Sequence, residues 1–417
     1  IKDKLRFLKE YKQIGLAFRG TPANNGKPLP IEDVKVIIEA MKPSTIEDKK
    51  CVQEISFEDI KKHVLDKLFI SEDLVALINS LLDAGENILL VGPPGTGKTV
   101  LAREITVARG YEPYYVVATA HWSRYDVIGG IMLEGREAKW RSGYLIKAIV
   151  RHIKNSIEFT QCRSRVKGVY LIIDEINRAD VDKAFAEFFL IFSSHNPRER
   201  IIPIDLVEEI KNYVNRGIAD EYAEELVKYL GTYLEEVKIN DALIGYLVPI
   251  DFRIIATMNQ VDVRNLFTIG EAFARRFAIV EITPPGTPRE LLDKIYENIK
   301  AELSSSIENI DDLINEIRGL IDEKLITVYN KSIEKAKSTG ETIDSGYAFI
   351  SPASLYITIK AFTMLYNKHR EENKEPDIDD ILKKCLEASL PLSRLWDKRV
   401  RKTINEVLGN VFRTEST

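Results

Sequence analysis

Gly92-Pro93-Pro94-Gly95-Thr96-Gly97-Lys98-Thr99 has the composition and spacing of a loop that holds phosphate. Its glycines let successive backbone N–H groups turn inward around an anion, and a helix from Thr99 onward would add the positive end of its dipole. Lys98 is long enough to reach the outer phosphates of a nucleoside triphosphate, and the Thr99 hydroxyl is a hard ligand for Mg²⁺. Residues Gly92 to Val100 are therefore the expected nucleotide-binding stretch. Further along, the apolar run Leu171-Ile172-Ile173 ends in two adjacent acids, Asp174 and Glu175. Like charges side by side repel, so a positive partner is expected beside them. A metal shared with Thr99, together with Lys98, would supply it. Asp174 then becomes the second expected Mg²⁺ ligand, and Glu175 the group that activates water for attack on the terminal phosphate.

Such residues need elements that bring them to one edge. Asn87 to Val91 reads as a short buried strand leading into the loop, with helical spacing after it at Leu101, Ala102 and Ile105. Val169 to Ile173 reads as a second strand ending at the acids, and the run from Phe252 as a third, ending in Asn259. Strands alternating with helices from about residue 69 to 282 give an α/β class with a doubly wound parallel sheet. At 417 residues, 45% hydrophobic and 29% charged, the chain has material for two or three globular units. The formal charge of −5 calls for neither nucleic acid nor an anionic membrane surface. The longest apolar runs have strand length, well short of a membrane span, so no membrane partner is expected. Cys51, Cys162 and Cys385 have no metal or disulfide-framework spacing, which fits a reducing, cytoplasmic setting. The chain starts at Ile1 rather than methionine, as a trimmed chain would.

With the loop and the acids in place, the sequence resembles the AAA+ ATPases. "FRIIATMNQ" resembles the strand whose terminal Asn259 would be sensor 1, a short polar group that helps orient the attacking water. "GEAFARRFAIVEI" resembles the segment carrying the arginine finger, with Arg276 the first choice and Arg275 the second. In that family the finger enters a neighbouring subunit's site, which implies a homo-oligomeric ring, taken as hexameric. "DEINRA", with Asn177 and Arg178 after the acids, resembles the MoxR, McrB and dynein-related branch. "DVIGGIMLEGREAKWRSGYLIKAI" is similar to that branch's helix 2 insertion, a hairpin over about 126–145. The resemblance covers residues 69–282 and leans to MoxR. It implies ATP and Mg²⁺ as cofactors, ATP hydrolysis, and chaperone-like remodelling of a protein client or adaptor. Two features depart from the branch. Ser351-Pro352-Ala353-Ser354 lacks the arginine of MoxR's S-P-R-A, leaving Arg394 or Arg399 as substitutes for sensor 2, and Met258-Asn259-Gln260-Val261-Asp262 differs from the M-N-T-A-D of McrB relatives.

Outside that core, residues 1–68 read as an N-terminal helical extension, and residues 283–417 as an α-helical lid entered through "TPPGTP". An acidic insertion at about 203–240 has helical spacing in two segments. Its nine acids against four bases give −5, which suits a protein partner or a neighbouring subunit better than a phosphate backbone. Trp122, Tyr125, Trp140 and Tyr144 either grip an unfolded peptide or stack on bases in a central pore, or form the hairpin's own core, with core favoured for Tyr144 and Trp140 left open. The basic cluster Arg394, Lys398, Arg399, Arg401 and Lys402 is expected to contact nucleotide or neighbour before nucleic acid. Two rival readings remain: an McrB-like GTP- or ATP-driven nucleic-acid motor or restriction subunit, and a nucleotide-switched assembly module that does not hydrolyse.

Overall fold

The computed structural model describes residues 55–135, 137–259, 274–282, 288–338, 350–390 and 398–408. Two helices come first, α1 (Phe57–Lys67) and α2 (Glu72–Asp83), opened by the N-caps Ser56 and Ser71. Then follow β1 (Ile88–Gly92), α3 (Lys98–Ala108), β2 (Glu112–Val117), α4 (Arg124–Val127), β3 (Gly129–Glu134), β4 (Glu137–Ser142), α5 (Tyr144–Thr160) and β5 (Val169–Asp174). The short helices α6 (Val181–Ala184) and α7 (Ala186–Ile191) lead to β6 (Ile201–Pro203), α8 (Ile204–Asn215), α9 (Glu221–Tyr229), β7 (Glu236–Ile239) and β8 (Ala242–Leu247). The core closes with β9 (Arg253–Asn259) and β10 (Ala278–Glu281).

Five strands form one parallel sheet in the order β10-β1-β9-β5-β2. Strand β1 is buried throughout and β5 along all but its last residue, as sheets covered on both faces require. Alternation sorts their side chains. Ile88 and Leu90 pack with α1, α2 and α3 on one face, while Leu89 and Val91 pack with α5 and the insertion on the other. Register matters most at the strand ends, where Gly92 lies opposite Asn259 and Val117 opposite Asp174. The phosphate loop, the two acids and the asparagine thus emerge along one edge of the sheet, where open α/β sheets bind ligands.

Helix packing crosses residue 68. Helix α1 precedes it, yet Ile60 and Val64 are buried in the same apolar layer as α3. Burying two such side chains is worth about 3–6 kcal/mol, enough to fix α1 to the core. The remainder of the expected extension, residues 1–54, lies outside the described residues.

The insertion is larger than a helical pair. Helices α8 and α9 are present, and β6, β8 and β7 add a three-stranded antiparallel sheet that carries the insertion up to β9. Asn240 and Asp241 turn the β7–β8 hairpin, both with positive φ (49° and 64°). Strands β3 and β4 pair antiparallel as a hairpin, with Gly129 opposite Ser142. Cys385 is free and buried.

C-terminal to the sheet stand α10 (Pro288–Leu303), α11 (Ile310–Ser338), α12 (Pro352–Glu371), α13 (Ile378–Ser389) and α14 (Lys398–Leu408), around an apolar core of their own. Among the described residues no helix is long and apolar enough to cross a membrane.

Candidate functional site

Strand β1 delivers the loop and α3 continues it, with Gly97 in the left-handed region (φ 85°) as its N-cap. Two glycines are required by their surroundings. A Cβ on Gly92 would collide with the Ile282 carbonyl oxygen, and one on Gly95 (φ 78°) with the Ser351 hydroxyl of the lid. Lys98 is buried, its Nζ donating to the carbonyl oxygens of Gly92 (2.9 Å) and Pro93 (2.7 Å). The Thr96 hydroxyl donates to Pro93 O at 2.9 Å. These bonds hold the loop in shape from within.

Asp174, at the end of β5, collects three hydroxyl donors. Thr99 Oγ1 reaches Oδ1 at 2.6 Å, Thr257 Oγ1 reaches it at 2.5 Å, and the Tyr115 hydroxyl reaches Oδ2 at 2.6 Å. Burial and the hydrogen bond to Asp174 push the Tyr115 phenol up to about 12, so it remains a donor at neutral pH. Glu175 turns away because its backbone is left-handed (φ 52°, ψ 48°), an arrangement that costs a non-glycine residue about 1–3 kcal/mol and clusters at functional sites. Its N–H donates to Thr257 Oγ1 at 3.0 Å. Its Oε1 accepts from Asn259 Nδ2 at 3.0 Å, and its Oε2 pairs with Arg178 Nε at 2.5 Å. Asn177 Nδ2 donates in turn to Asn259 O at 3.3 Å.

A cavity of about 540 Å³ joins these groups. Pro94 to Val100, Asp174, Glu175, Thr257 and Asn259 form one wall, Asp66 to Phe69 another, and Pro352, Ala353 and Tyr356 of the lid lie across from them. The Thr99 hydroxyl and Asp174 carboxylate are hard oxygen donors in contact, a set that fits Mg²⁺. Among the described residues no group of three or more His, Cys, Asp or Glu forms a metal cage, so phosphate oxygens and water would complete the shell.

The structure therefore brings together the residues expected from Gly92 to Val100, Asp174, Glu175 and Asn259. It sets Arg275 and Arg276 apart. They sit just before β10 and line a different cleft of about 750 Å³ with Ser193, His195 and Phe277. Desolvation holds the Arg276 guanidinium below the usual arginine range. At the lid, Ser351 caps α12 by accepting from Ser354 N at 3.1 Å, and no arginine stands in that turn. Arg394 and the Arg399 side chain lie outside the described residues.

Sequence reading missed Thr257, Tyr115 and the wall from Asp66 to Phe69. Thr257 could have been found, because it is a polar residue inside an apolar strand, two positions before Asn259. Tyr115 carried no such signal, since an aromatic on a strand is ordinarily there for packing.

Comparison with known proteins agrees with this geometry. Residues 87–277 match the model of the AAA domain of the dynein-related subfamily. The chain is similar to the type IV methyl-directed restriction enzyme EcoKMcrB subunit of Escherichia coli K12, 28% identical over 298 residues, which is 70% of this chain and 55% of that protein. It is also similar to the type II restriction enzyme BsuMI component YdiS of Bacillus subtilis 168, 25% identical over 57% of this chain and 68% of that one. This chain thus spans little more than half the length of the Escherichia coli relative. Phosphate loop, acid pair and terminal asparagine all fall within residues 87–277, the stretch that is similar to the AAA domain of the dynein-related subfamily.

Proposed function

We propose that the chain is a Mg²⁺-dependent nucleoside triphosphatase that works as a homo-oligomeric ring, taken as hexameric, with ATP the expected substrate. The observation that supports this reading is the division of labour between adjacent acids. Asp174 is committed to the Thr99 hydroxyl, while Glu175 is turned by its backbone toward Asn259. A chain that only switched on nucleotide binding would have little use for the second acid. In the proposed reaction Lys98 and the loop N–H groups neutralise the phosphates, and Glu175 takes a proton from a water that Asn259 helps to orient. Thr99 and Asp174 would hold Mg²⁺, which when bound supplies charge neutralisation at the phosphates. Arg276, with Arg275 beside it, would serve the site of the adjoining subunit, since neither lines the cavity of its own.

The two restriction-system relatives favour a nucleic-acid-processing assembly as what the ring drives, over the protein-client remodelling expected from the MoxR lean. Steady-state hydrolysis of ATP and GTP against protein concentration, with Arg276→Ala doped into the parent chain, tests the ring. Turnover is expected to rise steeply with concentration and to fall faster than the doped fraction. Concentration-independent turnover that ignores Arg276→Ala would remove the ring. GTP preference and stimulation by DNA would support the restriction-type reading, and failure of both would return it to a protein client.

Tyr115 gives a sharper test of the metal site. Its hydroxyl fixes the carboxylate oxygen of Asp174 that Thr99 does not touch. Tyr115→Phe is expected to raise the Mg²⁺ concentration for half-maximal turnover about tenfold, as loss of a ligand's own hydrogen-bond partner does, with turnover at saturating Mg²⁺ little changed. A Mg²⁺ titration, with Mn²⁺ binding followed by spin resonance, would read it. An unchanged titration means that Tyr115 does not orient the ligand.

A further inference from the structure

Ser193 and His195 share the cleft of Arg275 and Arg276, and the proposed reaction uses neither. They stand on the loop after α7, which is held in shape from within. Arg200, 2% exposed, donates from Nε to Ser194 O at 3.3 Å and from Nη2 to His195 O at 3.0 Å. Asn196 accepts from Arg198 N at 3.1 Å to open the short turn Pro197–Glu199, and a Cβ on Gly85 would collide with the Pro197 ring. Among the described residues no carboxylate pairs with the Arg200 guanidinium, and its Nη1 has no hydrogen-bond partner. Burial and the nearby charge of Arg253 push it down to about 10, which leaves it charged at neutral pH. A buried cation without an ion-pair partner, behind a cleft lined by two more guanidiniums, makes this region attractive to an anion.

His195 is placed to meet that anion. Its side chain is 57% exposed, and Nδ1 lies 2.6 Å from Glu86 Oε2. A carboxylate only accepts, so Nδ1 carries the hydrogen and Nε2 is the nitrogen left for a ligand. A phosphate oxygen only accepts as well, so the contacting form is the imidazolium, held between Glu86 and the phosphate.

We propose that His195 Nε2 contacts the terminal phosphate of the nucleotide held by an adjoining copy of this chain, beside Arg276. The contact rests on the reading above, in which the copies share their sites and Arg276 serves the next one. It adds a second donor to that shared site and gives the loop after α7 a part in the reaction. The phosphate of the same copy is not the target, because neither His195 nor the two arginines line the cavity that holds the phosphate loop.

The experiment is ATP hydrolysis, without DNA, by His195→Ala alone and mixed in equal parts with Glu175→Gln, at concentrations where the parent's turnover has levelled off. His195→Ala alone is expected to turn over about tenfold more slowly than the parent, the rate equivalent of one charge-assisted hydrogen bond. Glu175→Gln brings an intact His195 to its neighbour while its own site does not hydrolyse. In a random mixture about half of the His195→Ala sites regain the contact, so turnover per His195→Ala chain should rise about fivefold. A merely structural role also slows the variant, but mixing cannot restore it, so absence of a rise overturns the contact. Parent-like turnover of His195→Ala overturns it too, and if DNA binding is what falls, the cleft takes a nucleic-acid backbone instead. His195→Gln, which keeps an N–H donor near the reach of Nε2, should fall between parent and alanine. Arg276→Ala mixed with Glu175→Gln separates this from a deeper failure. If neither mixture rises, the copies do not share sites and the ring reading fails. If only the Arg276→Ala mixture rises, the ring stands and only the His195 contact is lost.

Discussion

Glu175→Gln should bind nucleotide as the parent chain does and hydrolyse it at least about a hundredfold more slowly, the contribution expected of a positioned general base. The amide keeps an Oε1 that can accept from Asn259 Nδ2, so the local geometry has a partner to retain. It cannot accept a proton from water, and it gives up the charge that pairs with Arg178. Binding relies on other groups, namely the N–H groups of the loop, Lys98 and the Thr99–Asp174 pair. Lys98→Ala is the necessary contrast. It removes a buried cation from the loop itself and is expected to lose affinity along with turnover. Titration with a fluorescent nucleotide beside a single-turnover assay separates the two variants. A Glu175→Gln chain that hydrolyses within tenfold of the parent would remove Glu175 from the chemistry. One that no longer binds would mean that its left-handed turn shapes the pocket more than it serves the reaction.

The chemistry lies on local motifs, and local motifs can be read from sequence. The phosphate loop and the acid pair each occupy one continuous stretch, and a buried parallel strand announces itself as a short apolar run, so the sheet edge and its residues were legible together. The lid helices α10 to α13 were legible for a similar reason, since each carries a helical apolar period across most of its length. What sequence could not give is pairing across the chain. Tyr115 meets Asp174 only because β2 lies beside β5, and Asp66 to Phe69 reach the cavity only because α1 packs on α3. The insertion sheet was missed on length, as β6 has three residues and β7 four, too few to establish alternation. The acid pair shows the limit most clearly. Sequence demanded a cation beside it and offered Lys98, and the structure adds hydroxyls around Asp174 and gives Glu175 to Arg178, three residues away along a turn whose conformation no residue type dictates.

Trp140→Ala is expected to destabilise the core domain by about 3–5 kcal/mol, the range for truncating a fully buried tryptophan. Sequence left Trp140 open between gripping a client and packing, and the structure places it in the core with no exposed surface. Its core is shared. The indole stacks on Tyr213 of α8 with centroids 5.6 Å apart, its N–H backbone donor reaches Ile218 O at 2.8 Å, and its carbonyl accepts from Asp220 N at 3.1 Å. Two positions on, Ser142 binds the Asp220 carboxylate through both N (2.8 Å) and Oγ (2.7 Å). Strand β4 is thereby fixed to the insertion, while its partner strand β3 displays Ile131, Met132 and Leu133 to solvent, Leu133 at 79% exposure. Trp140→Phe should cost much less than alanine, for a specific reason. The indole Nε1 is buried with no hydrogen-bond partner among the described residues, and phenylalanine keeps most of the ring while removing a donor whose desolvation costs about 1–3 kcal/mol. Denaturant unfolding of both variants, with limited proteolysis to locate the loosened segment, would test this. Alanine should expose the β3–β4 hairpin and the α8–α9 connection together, because one side chain holds both. Cleavage confined to the hairpin would mean that the insertion stands without it, and equal costs for alanine and phenylalanine would show that the stack on Tyr213 is not what holds the two together.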